Sequence, residues 1–450
     1  MVNLRRGFGG VKLPDRKGLS AHAKIEDAGI PAELVLFLSQ HTGAPSKPFV
    51  KVGDAVKRGQ KVADAQGPVS AALHAPTSGI VKAIEPRYQP VLACMVDAVV
   101  IEPDGKNETV EGLAPVATNL HAVSRQKIVE IAREAGLVGL GGAAFPTAVK
   151  LTPPPGTVID TYLLNGAECE PYLTADQKLM EEEATTIVFG FRALMKGAGA
   201  PKGIVCVEDN KPEAIDAMKK AIGPFKELDV AVLPSKYPRG GEKNLIEVVL
   251  GREVPPPPGL PLNVGVIVSN VGTAYAMAQA ILTGLPLVER VITVTGEGVA
   301  RPANFKALIG TPLSYLVEKA GGFSGTPGKV IMGGPMMGTA MRGLDVPVLK
   351  GTSGVLVLRK EQSAPEPVLP CLHCGKCVDS CPLRLLPVWI ASYAENGYLD
   401  EAEKFRAVDC CECGACAYSC PSRRPLVQSI RLAKARIAER RRAAAAKKQK

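Results

Sequence analysis

The pattern of apolar and polar positions alternates between two periods from residue 124 to residue 285. Short apolar runs such as VIDTYLLNG, GIVCVED, LDVAVLP and VGVIVSN predict strands. Segments such as VSRQKIVEIAREAG and KPEAIDAMKKAIG repeat their apolar positions with a helical period, and one long helix is expected near residues 176–196. Strands that alternate with helices in this way favour an α/β domain with a largely parallel sheet.

The segment before this region has a different pattern. Residues 49–84 alternate short β-branched runs with Gly-Asp and proline-containing turns, which is typical of small antiparallel strands. The segment resembles the barrel-sandwich fold of biotinyl and lipoyl carrier domains, but AQGPVSAA at residues 65–72 has no lysine where those carriers present one for modification. We therefore predict a structural docking module without a prosthetic group.

Two further regions follow the α/β pattern. The strand VITVTG, the helix TPLSYLVEKAGG and the strand KVIMGG indicate a small β-grasp-like domain, and PEPVLP then leads into a cysteine-rich region with helical segments. The predicted fold class is multidomain α/β. We expect a barrel-sandwich-like domain at 1–115, an α/β domain at 116–288, a β-grasp domain at 289–362, a cysteine-rich domain at 363–430 and a basic tail at 431–450.

The net charge of +10 is concentrated at the end of the chain. The last twenty residues hold nine Lys or Arg against Glu439, and a helix there could lie along acidic lipid headgroups or an acidic partner, or could be a frayed solubilising helix. The tail has no aromatic residue, so base stacking on nucleic acid is disfavoured. The N-terminus lacks an apolar signal region, and the uncharged stretch 254–288 is interrupted by Asn, Gln, Pro and Gly. We expect neither a signal peptide nor a membrane span.

Eight of the twelve cysteines fall in two runs with the spacing CxxCxxCxxxCP, 39 residues apart, which indicates reduced thiols that bind a metal cofactor. In ferredoxins with this spacing, three cysteines of a run hold one iron–sulfur cluster and the fourth holds the other. The predicted ligands of one [4Fe-4S] cluster are Cys371, Cys374, Cys377 and Cys420, and those of the other are Cys410, Cys413, Cys416 and Cys381. Zinc needs no such duplicated run and is disfavoured. Cys411 lies outside the repeat and is predicted to be a spectator, whereas Cys94 and Cys206 are expected to be buried in apolar strands.

A glycine loop follows the first helix of the α/β region. Gly139, Gly141 and Ala144 have the GxGxxA spacing of a dinucleotide fingerprint, but that fingerprint follows a strand and this loop follows a helix. Either a tight turn or a phosphate-binding loop with Lys150 as counter-charge is compatible with the pattern.

An acidic strand end follows the glycine loop. The strand ends at Asn165, and Glu168 and Glu170 come two residues apart behind it. At the carboxyl end of a parallel strand these side chains would point into a ligand crevice. They could be an acid–base pair or a solvated face, but hydrogen bonding to a flavin or a nicotinamide ribose is the more economical role.

Taken in order, the blocks GLGGAAFPTAVKL, NGAECEP, YPRGGEKNLI and SNVGTAYAM resemble the flavin-binding core of the NADH-oxidising subunit of respiratory complex I. With the N-terminal GGVKLP, the barrel-sandwich module, MGGPMMG and the two cysteine runs, nearly the whole chain resembles the C subunits of Rnf electron-transport complexes. The resemblance implies that FMN is bound by Gly139, Gly141, Gly142, Lys150, Asn165, Glu168, Tyr237, Gly240, Gly241, Glu242, Asn270 and Thr273. It implies that Phe145 and Glu170 contact NAD.

The chain departs from these patterns at four positions. Ala167 and Gly241 stand where complex I has an aspartate and the first of two glutamates, and Pro153 stands where an aromatic side chain packs on adenine. Lys12 replaces a histidine that is usual in the GG block of the family.

The resemblance implies an NAD-linked oxidoreductase subunit of a complex that translocates Na⁺ or H⁺, with FMN and two [4Fe-4S] clusters as cofactors and NAD(H) as substrate. A flavin is expected between them because NADH gives two electrons together and a cluster takes one. The implied partners are membrane-integral subunits, a ferredoxin-like iron–sulfur subunit and, through the complex, ferredoxin. The expected location is peripheral, on the cytoplasmic face of the bacterial inner membrane. The alternatives are a soluble microcompartment cobalamin reductase and a non-enzymatic iron–sulfur electron relay.

Overall fold

The computed structural model describes residues 4–5, 7–364 and 366–448, with side chains up to residue 444. Among these residues the strands form four sheets. The helices and strands fall into the regions that the sequence pattern predicts, and the domain boundaries given above stay predictions.

The first region consists mainly of antiparallel strands, two of them long and the others short, and its first strand joins the sheet of the third region. Its elements are β1 (Ile25–Asp27), β2 (Leu34–Phe37), β3 (Lys47–Pro48), β4 (Ala55–Val56), β5 (Lys61–Asp64), β6 (Leu73–His74), β7 (Gly79–Gln89) and β8 (Cys94–Pro103). Strands β2, β8, β7 and β4 form one sheet and β3, β5 and β6 another, and residues of both, such as Val62 and Val81, are buried in one apolar core. The prediction that Cys94 is buried is wrong, because this residue begins β8 at the exposed end of the long β7–β8 hairpin.

The α/β region contains a parallel sheet of four strands. Its elements are α1 (Arg125–Glu134), α2 (Thr147–Lys150), β9 (Thr161–Gly166), α3 (Ala175–Glu182), α4 (Ala184–Ala198), β10 (Lys202–Glu208), α5 (Pro212–Ile222), β11 (Leu228–Leu233), α6 (Glu242–Leu250), β12 (Val266–Asn270) and α7 (Val271–Leu282). The strand order is β11-β10-β9-β12 and all three pairings are parallel, as predicted.

The long helix expected at 176–196 is instead two helices, α3 and α4, because Glu183 between them has non-helical backbone angles of φ −125° and ψ 25°. The break lets α4 take its own direction against α7. The two helices touch at Gly190, where a Cβ would lie 1.8 Å from the carbonyl oxygen of Ala274. A helical period alone specifies neither the break nor this close contact between helices.

The third region is a six-stranded mixed sheet. It contains β13 (Glu289–Thr295), β14 (Ala303–Leu308), α8 (Leu313–Lys319), β15 (Pro327–Met332), β16 (Thr339–Ala340) and β17 (Gly354–Arg359). The strand order is β1-β14-β13-β17-β15-β16, so β1 from the start of the chain pairs in parallel with β14. Cys206, by contrast with Cys94, is buried in β10 as predicted.

The cysteine-rich region is helical, as predicted. It contains α9 (Lys376–Asp379), α10 (Pro387–Glu395), α11 (Leu399–Lys404), α12 (Ala415–Tyr418) and α13 (Leu426–Lys448). The short helices α9 and α12 follow the first two cysteines of each run at equivalent positions, and His373 and Glu412, also 39 residues apart, both have positive φ. The sequence repeat is therefore also a structural repeat.

The basic tail continues helix α13. Ile430 and Ile437 on this helix are buried in the core of the cysteine-rich region. Arg440 forms ion pairs with Asp400 at 2.6 Å and with Glu403 at 2.7 Å. The part of the tail whose side chains are described is thus attached to its own domain and is not a frayed helix.

Candidate functional site

The carboxyl ends of β9 and β12 form the floor of the candidate flavin site. In the order β11-β10-β9-β12 the chain runs outward from β9 through β10 to β11 and then crosses to β12 on the other side of β9, and α/β sheets bind ligands at such a switch point. Asn165 and Asn270 are register partners at this edge. Two predicted flavin residues therefore lie side by side at the switch point.

The glycine loop lies against the beginning of α7. The backbone N–H of Leu140 donates to Oγ1 of Thr273 at 3.0 Å. A Cβ on Gly141 would lie 2.8 Å from Nδ2 of Asn270, so only glycine fits there, whereas Gly142 is exposed and has no neighbour within 4 Å. Gly139 has room for a Cβ, with its nearest neighbour 3.8 Å away in Phe145.

Side-chain amides tie the loops of the site together. Asn270 accepts from the N–H of Gly272 at 2.8 Å and donates to Asp176 at 2.6 Å. Asn165 donates to the carbonyl oxygen of Gly240 at 2.9 Å. The arrangement joins the carboxyl ends of β9 and β12 to helix α3 and to the loop before α6, so the crevice has a fixed shape.

A positively charged side chain, Lys150, lies at the same edge of the sheet. The ammonium group of Lys150 is 2.9 Å from the carbonyl oxygen of Val268 and 3.4 Å from the carboxylate of Glu242. Its side chain is partly exposed, so the charge can reach a ligand. A glycine loop in which Gly141 has no room for a side chain, together with a nearby ammonium group, fits the phosphate and ribityl chain of FMN.

The acidic side of the site is built around α3. The carboxylate of Glu168 accepts from the backbone N–H of Asp176 at 3.0 Å and of Gln177 at 3.4 Å, so it caps the helix. Burial, and then the charge of Glu168, raise the pKa of Asp176 to about 7. Asp176 was not singled out from the sequence, although it belongs to the same NGAECEPYLTAD segment, because its burial depends on tertiary packing.

Glu170, a predicted NAD contact, is held by the MGGPMMG loop of the β-grasp region. Its carboxylate oxygens accept from the N–H of Met336 at 3.0 Å and of Met337 at 2.8 Å. A Cβ on Gly334 would lie 2.2 Å from this carboxylate. Burial raises the pKa of Glu170. The other predicted NAD contact, Phe145, is partly buried at the end of the glycine loop.

The loop before α6 reaches from the flavin site to the cysteines. The hydroxyl of Tyr237 donates to the carbonyl oxygen of Cys413 at 2.5 Å, and the side chain is buried. Gly240 allows a close approach, because a Cβ there would lie 2.2 Å from the carbonyl oxygen of Ala167. Gly241 precedes α6 and Glu242 is its first residue. Tyr237, one of the predicted flavin residues of this loop, is thus in direct contact with the loop that carries the predicted cluster ligand Cys413.

Four of the predicted cluster ligands surround one small, largely apolar cavity. Its lining includes, from the second run and from the end of the first, Cys410, Cys413, Cys416 and Cys381. This is the crossed set that the ferredoxin spacing predicts. Cys411, predicted to be a spectator, lines the same cavity although it is exposed.

The second set lies nearer to the surface. Cys377 is close enough to Cys420 for a Cys420 charge to raise its pKa, after the larger effect of burial. Cys374 is exposed and Cys371 is partly exposed. The structure thus distinguishes a largely buried set of cysteines from a more exposed one.

The local backbone suits thiolate ligands of an iron–sulfur cluster. The N–H groups of His373, Glu412 and Leu385 point at the sulfur atoms of Cys371, Cys410 and Cys381, at 3.4, 3.3 and 3.3 Å. Such bonds stabilise negative charge on the sulfur. In the described residues, no three His, Cys, Asp or Glu side chains converge on a point that could hold a single metal ion.

Burial determines the protonation state of these thiols when no metal is bound. It raises the pKa of Cys410 to about 11 and that of Cys416 to about 12, so both hold their protons at neutral pH. A metal ligand must be a thiolate, and binding therefore releases protons.

Cys169 is a neighbour of this junction that the sequence reasoning missed. It packs with Tyr237, Cys413 and Met336 in one apolar cluster. Burial raises the pKa of its thiol to about 12. Its position between Glu168 and Glu170 in the NGAECEP block could have indicated from the sequence that it lies near the site.

Within the described parts of the chain, every helix is too short or too polar to cross a membrane.

The chain matches four protein families in succession. They are described as the RnfC barrel sandwich hybrid domain (residues 6–106), the Nuo51 FMN-binding domain (132–279), the SLBB domain (291–340) and the 4Fe-4S dicluster domain (367–421). These matches confirm the predicted fold class and the predicted cofactors, FMN and [4Fe-4S] clusters.

Two curated relatives match over nearly their whole length. The C subunit of the Na⁺-translocating ferredoxin:NAD⁺ oxidoreductase complex of Acetobacterium woodii is 46% identical over 443 residues, which are 98% of this chain and 99% of the relative. The C subunit of the proton-translocating ferredoxin:NAD⁺ oxidoreductase complex of Clostridium ljungdahlii is 46% identical over 427 residues, 95% of this chain and 93% of the relative.

A solved structure shares the fold. A chain of the NAD⁺-reducing [NiFe]-hydrogenase in the H2-reduced state superposes with a TM-score of 0.50 at 20% identity, over 72% of this chain and 64% of that one. At this identity the likeness concerns the fold alone.

Proposed function

The chain belongs to the family of C subunits of ion-translocating oxidoreductase complexes, and on that premise we propose that it passes electrons between NAD(H) and a one-electron partner through FMN and two [4Fe-4S] clusters. It is an oxidoreductase subunit of such a complex. The curated relatives are named for ferredoxin, NAD⁺ and the transport of Na⁺ or protons, and we extend the ferredoxin:NAD⁺ reaction and its coupling to this chain.

The observation that carries the proposal is the junction at Tyr237. This residue belongs to the predicted flavin site, and its hydroxyl binds the carbonyl oxygen of Cys413 in the buried cysteine set. When bound, FMN accepts the two electrons of a hydride and releases them one at a time. The chain's own task is to hold the cofactors close together and in a fixed orientation.

The order of the two clusters follows from burial. The set formed by Cys381, Cys410, Cys413 and Cys416 adjoins Tyr237, and two of its members, Cys381 and Cys413, are 8% and 7% exposed. The set that includes Cys374 reaches the surface. The buried cluster therefore exchanges electrons with the flavin, and the exposed cluster exchanges them with an external partner.

The residues of the FMN site divide by task. Gly141 and Gly142 leave the glycine loop open to the phosphate, and Lys150 supplies the counter-charge. Asn165 and Asn270 give the crevice its shape, while Asp176 can hold a proton near neutral pH beside them. Glu168 orients Asp176 by capping α3.

The place of the chain in a complex is also part of the proposal. Since no described helix can span a membrane, ion transport requires membrane-integral partner subunits, and this chain would be attached to them on the cytoplasmic face. A ferredoxin-like iron–sulfur subunit is the expected neighbour of the exposed cluster.

The test is an anaerobic titration of the isolated full-length chain with NADH. We expect FMN in the acid extract, iron and sulfide for two [4Fe-4S] clusters, and bleaching of the flavin absorption by NADH followed by reduction of the clusters. A brown chain whose spectrum does not respond to NADH would instead support a non-enzymatic relay. A colourless chain that contains zinc would refute the proposal.

A further inference from the structure

The segment 7–17, called here the N-terminal strap, lies between the α/β region and the cysteine-rich region. The N–H of Gly10 donates to the carbonyl oxygen of Ser380 at 2.9 Å. Val11 exchanges two backbone hydrogen bonds with Tyr237, at 2.7 and 2.9 Å. At the far end of the strap, the ammonium group of Lys17 is buried and lies 2.9 Å from the carbonyl oxygen of Glu170. The strap therefore binds both regions along its length.

Two glycines make this course possible. Gly9 has φ +58°, and a Cβ there would lie 2.4 Å from the carbonyl oxygen of Cys381. Gly10 has φ +81°, and a Cβ there would lie 2.6 Å from the carbonyl oxygen of Tyr237. Both the backbone conformation and the space require glycine at these positions. The GG block, Gly9 and Gly10, thus allows the strap to lie against the backbone of Cys381 and of Tyr237.

The strap and Tyr237 together hold both loops of the buried cysteine set. The strap contacts Ser380 and Cys381 at the end of the first run, and the hydroxyl of Tyr237 holds Cys413 in the second run. Cys381 and Cys413 line the same cavity. One continuous set of contacts therefore joins the flavin loop to both chain segments that supply ligands to the buried cluster.

A second contact supports the placement of the strap between the two regions. The guanidinium of Arg384, just after the first cysteine run, lies 5.1 Å from the ring centroid of Phe8 in the strap. The same guanidinium pairs with Glu247 on α6 at 2.8 Å. The strap is thus packed where the α/β region meets the cysteine-rich region, and it does not lie along one of them alone.

We propose that the N-terminal strap is a positioning element that fixes the separation between the flavin site and the buried cluster by clamping both ligand-bearing loops to Tyr237. The inference rests on the proposed function, because it concerns the transfer step between the two cofactors. One-electron transfer between fixed centres slows steeply as their separation grows. A small displacement of the Cys381 loop therefore affects this step and leaves the reaction at the nicotinamide unchanged.

The test compares Gly9→Ala with Gly105→Ala in the full-length, cofactor-loaded chain. Gly105 has φ +75° but no neighbour within 4 Å, so its substitution brings the same backbone strain without the clash against Cys381. Two rates are measured by anaerobic stopped flow after mixing with NADH, the bleaching of the flavin and the later reduction of the clusters. Hydrogen exchange of the Gly10 and Val11 amides reports on the strap itself.

For Gly9→Ala we expect faster exchange of both amides, a flavin-bleaching rate equal to that of the wild type, and cluster reduction slowed several-fold. Gly105→Ala should change none of the three. Loss of amide protection in Gly9→Ala with cluster reduction at the wild-type rate would overturn the inference. A wild-type flavin that NADH does not bleach would refute the proposed function, whereas the exchange data would still report on the clamp.

If Gly9→Ala does not fold or loses iron, Tyr237→Phe serves as the second variant. It removes only the hydroxyl that binds Cys413 and keeps the backbone bonds to Val11. Slower cluster reduction with protected strap amides is expected. Cluster reduction at the wild-type rate would count against the inference.

Discussion

Replacing Glu170 by glutamine separates two roles for this residue, contact with NAD and attachment of the β-grasp loop. The carboxylate accepts from the N–H groups of Met336 and Met337. Glutamine keeps one acceptor oxygen but turns an NH₂ group toward the other N–H. One charge-assisted hydrogen bond is lost and a donor faces a donor. Because the site is only partly exposed, the expected cost is about 1.5 kcal/mol or more in the free energy of unfolding.

The assay is chemical denaturation of the wild type and of Glu170→Gln, together with the NADH concentration that bleaches half of the flavin. Glu26→Gln is the control, because Glu26 forms an exposed ion pair with Arg301 that contributes about 0–1 kcal/mol. We expect loss of stability in Glu170→Gln with the half-bleaching concentration unchanged. A variant as stable as the wild type that needs more NADH would refute this reasoning and favour direct contact with the dinucleotide.

Three further predictions concern the clusters, the protonation of the flavin site and the phosphate cradle. If the ligand sets are crossed, Cys381→Ser with Cys410→Ser loses the iron of one cluster, whereas Cys381→Ser with Cys371→Ser loses that of both; iron analysis giving equal losses would contradict crossing. The raised pKa of Asp176 means that the folded state binds a proton more tightly than the unfolded state, so the contribution of this group to stability falls by about 1.4 kcal/mol per pH unit as pH rises from 4 toward 7. Asp176→Asn should flatten that slope in urea melts, and an unaltered slope would rule out this carboxyl as its source. Lys150→Ala should release FMN on gel filtration more readily than Lys150→Arg, and equal retention would exclude the lysine as the phosphate's counter-charge.

The sequence was sufficient wherever the signal is local. The spacing of the two cysteine runs is set within eleven residues each, and the structure brings Cys381 to Cys410, Cys413 and Cys416 as that spacing requires. The alternation of strand and helix likewise predicted the parallel sheet, because each element buries one face of its own. The positions of Asn165 and Asn270 at one sheet edge follow from the same rule.

Other features depend on contacts between segments far apart in the chain. Cys94 was predicted to be buried from its apolar neighbours, but it lies where the hairpin extends beyond the sheet core. The helix predicted at 176–196 breaks at Glu183, and its second half, α4, packs closely on α7 at Gly190. Neither outcome is visible in the local pattern.

The sequence by itself indicated the iron–sulfur clusters and the fold class, because ligand spacing and periodic burial are properties of short segments, while FMN and the family followed from the resemblance of its ordered blocks. Only the tertiary structure decided that Glu170 holds the β-grasp loop, that Asp176 lies beside Asn270, and that the GG block touches Cys381. These features depend on which segments, distant in the sequence, come into contact. The sequence does not show which backbone carbonyl group will lie against which neighbour. The close approach of Gly9 to that carbonyl exists only once the chain has folded.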